Sequence, residues 1–359
     1  MAATISSQPR RAEARAHVAS FAPTRLVTPT ASFDPSAIFL TFAGQDQGPP
    51  VLESRSLTSG SPTARLAELG GLAPVLGSGT TLWVTRSVGP RERNDTAGGD
   101  PEPNSCAGDV VRVDLSTGTE TTVQTFPSST LVGDAVPSPD EGEVVFKVAP
   151  CARSYFNEHL LVEDHNTGRS WTIGAKARVC HWISTPSWDA NGTGLIFTFA
   201  PSNPAEPVGK YDGYGICTQE LAGEIEVLAA AHPAALSSAQ IIKAPRGCSY
   251  LSAVFDPEGI AAIEACEHGA PRGFSRHGEY NGDAYVVQLS AQGRSLHRVA
   301  IKPEPNPATL ARNPSGGPVL VSEELGENTR PYFNWIWTFN GQKLRLLSRS
   351  TESITAIAG

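Results

Sequence analysis

Six times along the chain a short turn-forming segment runs directly into a stretch of strand-forming apolar residues. The clearest instance lies in residues 248–266, where a β-rich run from Tyr250 to Phe255 meets Asp256-Pro257-Glu258-Gly259 and then a second apolar run from Ile260 to Ala265. Asp, Pro and Gly supply the backbone angles and local hydrogen bonds of a tight turn, so the stretch reads as a two-stranded antiparallel hairpin. Folded about that turn, it sets Cys248 opposite Cys266.

The pattern recurs where Phe33-Asp34-Pro35-Ser36 precedes Ala37-Ile38-Phe39-Leu40, Leu76-Gly77-Ser78-Gly79 precedes Leu82-Trp83-Val84, and Pro137-Ser138-Pro139-Asp140 precedes Val144-Val145-Phe146. Trp188-Asp189-Ala190-Asn191-Gly192 precedes Leu195-Ile196-Phe197, and Asn313-Pro314-Ser315-Gly316 precedes Val319-Leu320-Val321. A second mark follows each copy: a strand that closes on a small or polar residue and glycine, at Gly60, Gly118, Gly168, Gly223, Gly293 and Gly341. Their spacing of about fifty to seventy residues is the period of propeller blades carrying insertions. Each unit supplies four strands, which in the fourth unit are read as Ile183 to Trp188, Leu195 to Phe199, Gly215 to Leu221 and Glu224 to Leu228. One four-stranded sheet with two apolar faces is unstable in water; six around an axis bury both faces.

The expected fold is therefore all-β, a six-bladed propeller of four-stranded antiparallel blades, with seven blades the minor alternative. The Trp/Phe-Asp-Pro-x-Gly turn leading into an apolar strand resembles the repeat of the TolB-like and related WD40-like propellers, whose turn reads Trp-Ser-Pro-Asp-Gly. The resemblance spans roughly residues 26 to 351 and speaks for fold rather than activity. Residues 1–22 read as a polar arm and 23–359 as a single propeller domain. Its blades fall near 26–70, 72–127, 130–177, 180–245, 248–303 and 307–351. Residues 353–359 look like a further first strand that closes the ring.

Composition narrows the function. A net charge of -8 and the lack of a basic run argue against nucleic acid, and no apolar run reaches membrane length. The six cysteines are even in number and contain no Cys-x-x-Cys, which fits disulfides better than a metal site. On the four-strand blade Cys106, Cys151, Cys180, Cys217, Cys248 and Cys266 all fall on one rim. The pairing expected is Cys248–Cys266, Cys106–Cys151 and Cys180–Cys217, with Cys151–Cys180 the main competitor. Disulfides imply an oxidising compartment, secretory or periplasmic. The first residues lack an apolar signal core, so any signal peptide is removed or replaced. Asn94-Asp95-Thr96 and Asn191-Gly192-Thr193 are glycosylation triplets that permit a secretory route without requiring it.

The long insertions, residues 89–108, 201–213 and 267–282, fall between second and third strands on the cysteine-bearing rim. Elaborated loops on one face of a rigid scaffold are where binding usually resides. The sequence holds no Gly-x-Ser-x-Gly, His-Glu-x-x-His, phosphate-binding or dinucleotide motif. His159, Glu163 and His165 share one face of a strand, but His159 and Glu163 would stand about 13 Å apart, too far to converge on a metal. No metal and no cofactor are expected.

His181 and Trp182 open a first strand at the channel edge, and Tyr250 holds the corresponding place in the next unit. His268, Arg272 and Phe274 lie in the third of the rim insertions, and Tyr214 lies beside the second. The structural alternative is that Trp182 and Tyr250 wedge between blades. Taken as a site, Trp182, Tyr250, Tyr214, His268 and Phe274 would bind a small ligand, with His181 and Arg272 polarising a carbonyl. Positioning alone can lower the barrier of a cyclisation by several kcal/mol. Fungal natural-product cyclases of six-bladed propeller fold, including hetero-Diels–Alderases, are similar in size, disulfide use and lack of a nucleophile motif. The leading expectation is thus a cofactor-independent cyclase acting on an apolar small molecule. The alternatives are a non-catalytic TolB-like module that docks a protein partner and, third, a lactonase-like metal hydrolase, for which Asp134 is the clearest inward acid.

Overall fold

The computed structural model describes residues 25–26, 38–43, 51–59, 62–68, 72–78, 80–87, 108–150, 159–173, 181–201, 224–228, 240–267, 282–301, 306–312, 319–325, 333–350 and 353–358. Among them every regular element is a strand, and all strand pairs are antiparallel.

The strands form six sheets. The second runs Leu72–Leu76, Thr81–Ser87, Gly108–Asp114, Glu120–Phe126, and the third Thr130–Pro137, Glu143–Pro150, His159–Asp164, Arg169–Ile173. The fifth runs Cys248–Asp256, Gly259–Glu267, Gly282–Leu289, Ser295–Ala300, and the sixth Asn306–Ala311, Val319–Leu325, Phe333–Phe339, Leu344–Ser350. In these four the spatial order of strands is the chain order, as in a meander. The first sheet is different: Ser353–Ala358 pairs Ile38–Ala43 at one edge, and Arg25–Leu26 pairs Pro62–Glu68 at the other.

Each first strand packs on the next sheet. Ser353–Ala358 lies against Leu72–Leu76, which lies against Thr130–Pro137; Cys248–Asp256 touches both Ser187–Trp188 and Asn306–Ala311, and the last of these returns to Ser353–Ala358. The third and fourth sheets are joined by the Trp188 indole, whose Nε1 donates to the Val136 carbonyl at 3.1 Å. Arg312 reaches from the sixth sheet to the fourth, donating from Nη1 to the Trp188 carbonyl at 2.8 Å. The apolar residues fall between sheets: Val136, Val145, Ile183, Trp188, Leu195 and Phe197 form one cluster, and Ile196, Ile242, Tyr250, Ala262 and Val287 another. A sheet buried on both faces is what the near-continuous apolar runs of the sequence demand.

Local chemistry accounts for the turns. Gly118, Gly168, Gly293 and Gly341 close the connections from third to fourth strands with φ of 75°, 68°, 81° and 83°, a conformation glycine adopts without a Cβ penalty. Asp114 and Asp164 begin two of these turns, their carboxylates accepting from backbone amides two and three residues on.

The fourth sheet corrects the sequence reading. Glu224–Leu228 pairs directly with Leu195–Pro201 and is the third strand rather than the fourth; the fourth is Gln240–Ile242. The small-residue-plus-glycine mark at Gly223 therefore precedes the third strand, and the connection between third and fourth strands falls within 229–239. Its first strand is split into His181–Ile183 and Ser187–Trp188, with Pro186, which has no amide hydrogen for the ladder, in the interruption.

Candidate functional site

The fifth sheet shows how the strand ends that flank one of the long insertions are arranged. The hairpin register places Cys248 opposite Cys266, Tyr250 opposite Glu264 and Glu264 opposite Tyr285. Cys248 and Cys266 are joined in a disulfide with 4.0 Å between Cα atoms.

Beside that bond stands a set of interacting polar groups. Arg298, on the outer strand, pairs with Glu264 at 2.7 Å and points its Nη2 at the Cys266 sulfur at 3.0 Å. Its guanidinium lies over the Tyr285 ring, 3.5 Å from the centroid, a cation–π contact that holds it flat. The Tyr285 hydroxyl donates to Asp283 at 2.7 Å. That bond keeps the proton on oxygen, so the Tyr285 pKa is raised. Glu264 is buried although it lies in an otherwise apolar run, and Arg298 supplies its counter-charge.

Tyr250 is the sequence-predicted residue found at this place. It is 3% exposed and packs with Ile196 and Ile242 of the neighbouring sheet, as a wedge between sheets would. Its hydroxyl makes no hydrogen bond among the described residues, and it is not one of the buried polar atoms left without a partner there. Burial, with the Glu264 charge adding and Arg298 opposing, pushes the phenol up to about 12. It therefore stays protonated near neutrality and can donate.

His181 and Trp182 occupy the first strand of the fourth sheet, paired with Pro201 and Ala200. Tyr214, His268, Arg272 and Phe274, together with Cys106, Cys151, Cys180 and Cys217, lie outside the described residues. The sequence reading passed over Glu264, Asp283, Tyr285 and Arg298. One signal for Glu264 was available, a charged residue inside the apolar run Ile260 to Ala265.

Metal-type groupings reduce, among the described residues, to Cys248, Glu264 and Cys266, and the two sulfurs are already bonded to each other. Asp134 accepts from Thr185 at 2.7 Å and stands 3.7 Å from the Lys147 ammonium, so its charge is met within the protein. His165 lies beyond the strand end and stacks on Trp83, with 6.3 Å between centroids; burial pushes the Glu163 carboxyl up, and the nearby His165 only partly offsets this.

No protein-family model matches the chain, and no curated protein matches it in sequence. Solved structures do. TolB from Acinetobacter baumannii superposes with a TM-score of 0.57 at 12% identity, over 90% of this chain and 66% of that one. The fold is a TolB-like β-propeller. A putative TolB from Agrobacterium tumefaciens gives 0.46 at 11% identity over 89% of this chain and 91% of that one. An oligogalacturonate lyase in complex with manganese gives 0.42 at 15% over 88% and 74%. At such identities a propeller's likeness is one of fold, and its site must be argued from its own residues. No helix among the described residues is long and apolar enough to cross a membrane.

Proposed function

We propose that the chain is a six-bladed propeller that binds an apolar, carbonyl-bearing small molecule at the disulfide-braced rim and promotes its cyclisation without a cofactor. The observation that carries this reading is Tyr250, a buried side chain beside the Glu264–Arg298 pair whose hydroxyl makes no hydrogen bond among the described residues. A phenol held neutral in an apolar wall is suited to donate to a ligand carbonyl, and its strength as a donor grows as charge develops on that oxygen. In this scheme Trp182, Tyr214, His268 and Phe274 complete the ligand contacts, and His181 and Arg272 assist in polarising the reacting group. An oxidising compartment fits the disulfide.

Cyclisation conserves mass, so it is read as a new chromatographic peak at the substrate's mass. The full chain should be screened by thermal shift against apolar carbonyl compounds, including polyene precursors able to cyclise. The expected result is a set of ligands whose shift is at least halved by Tyr250→Phe, some of them isomerised. Ligands whose shifts ignore Tyr250→Phe, Glu264→Gln and Trp182→Ala would move binding elsewhere and overturn the proposal. So would a screen with no ligand at all.

A further inference from the structure

The two sulfurs of the Cys248–Cys266 bond stand in unlike surroundings. Cys248 is partly exposed and follows the exposed turn of Pro245, Arg246 and Gly247; Cys266 is 8% exposed. The Arg298 Nη2 lies 3.0 Å from the Cys266 sulfur, and the same guanidinium is fixed by Tyr285 beneath it and by Glu264 at 2.7 Å.

We propose that this disulfide exchanges with low-molecular-weight thiols in one direction, making Cys248 a site of mixed-disulfide modification with Cys266 as the leaving group. An incoming thiolate attacks the Cys248 sulfur from the turn side. Its sulfur bonds to Cys248 as the bond from Cys248 to Cys266 breaks, and the electron pair of that bond leaves on Cys266 as a thiolate. One disulfide replaces another, with no net oxidation and no further reactant than the thiol. Two effects set the direction. Access favours attack at the partly exposed sulfur, and a leaving thiolate departs faster when its pKa is lowered. An N–H aimed at the Cys266 sulfur at 3.0 Å from a fixed guanidinium stabilises the departing thiolate in the same sense. Glu264 opposes this, with Oε1 3.5 Å from the Cys266 sulfur, but it lies farther away than the Arg298 donor and has no proton to offer the thiolate.

This inference does not depend on the ligand reading above. The test uses the full chain with reduced glutathione as the probe, quenched by alkylation and mapped by mass spectrometry of peptides. Glutathione should appear on the Cys248 peptide in at least about tenfold excess over the Cys266 peptide, with Cys266 trapped by the alkylating agent. Arg298→Met should slow adduct formation by about tenfold, Arg298→Lys should retain most of the rate, and Glu264→Gln should raise it. Adduct on Cys266, equal labelling of both sulfurs, or no adduct on the folded protein would each overturn the proposal. So would a rate indifferent to Arg298→Met. If Arg298→Met does not fold, the labelling ratio in the unaltered protein decides alone.

Discussion

Two carboxylates on opposite rims of the propeller show how differently one residue type can be used. Glu141 sits in the turn between the first two strands of the third sheet with φ of 55°, unusual for a residue with a side chain. It accepts from the Ser78 amide at 2.8 Å, the Ser78 hydroxyl at 3.0 Å, the Thr81 hydroxyl, and Arg112 Nε at 2.7 Å, all on the second sheet. Glu264 is as well buried but receives only Arg298, while the phenol opposite it in the register bonds to nothing described. A carboxylate whose donors all come from the adjoining sheet is a clasp. One left partly satisfied beside an idle donor is where a ligand gains most by completing the set.

Glu141→Ala should break that contrast most severely, taking the acceptor from Arg112 Nε and from the Ser78 amide and hydroxyl, while Thr81 keeps the Ser78 carbonyl at 2.9 Å. A loss of about 3 kcal/mol is expected in urea denaturation. On the same rim, Gly259 has φ of 143°, and a Cβ there would meet the Leu289 carbonyl oxygen at 2.3 Å. Gly259→Ala should therefore cost about 2 kcal/mol by the same measurement. Glu264→Gln keeps the shape and one acceptor, and should cost about 1 kcal/mol or less. A Glu264→Gln loss equal to that of Glu141→Ala would end the distinction between clasp and site.

Acid sharpens it further. Burial alone would raise the Glu141 pKa, but hydrogen bonds from Thr81, Arg112 and Ser78 outweigh it and hold the carboxyl below its ordinary 4.5. A depressed folded-state value contributes stability that is complete above 4.5 and disappears as pH falls through the folded value. The advantage of the unaltered protein over Glu141→Gln in thermal melts should be flat from neutrality towards that point and shrink below it. The smallest effect is expected from Tyr250→Phe. With no hydrogen bond to lose, stability should stay within about 0.5 kcal/mol while ligand binding falls.

The fold was readable where chemistry is local. Asp114, Asp164 and the glycines that close their turns specify those connections within a few residues, and so the repeat announces itself. The fourth unit misled because Leu221-Ala222-Gly223 imitates the turn mark ahead of the third strand, and nothing nearby identifies Gln240–Ile242 as the strand that follows. The candidate site was readable only at Tyr250 and the two cysteines, which one hairpin brings together. Glu264 and Arg298 meet through two further strand registers, and neither residue carries a mark of the other in its own neighbourhood.

The seam of the first sheet sets a condition on biosynthesis. The stave at Ser353–Ala358 docks on Ile38–Ala43, more than three hundred positions upstream by their numbering, so early segments must wait with an unmatched edge while the remainder is translated. Closure is then a late, long-range event, and anything that shields that edge meanwhile governs yield more than final stability does.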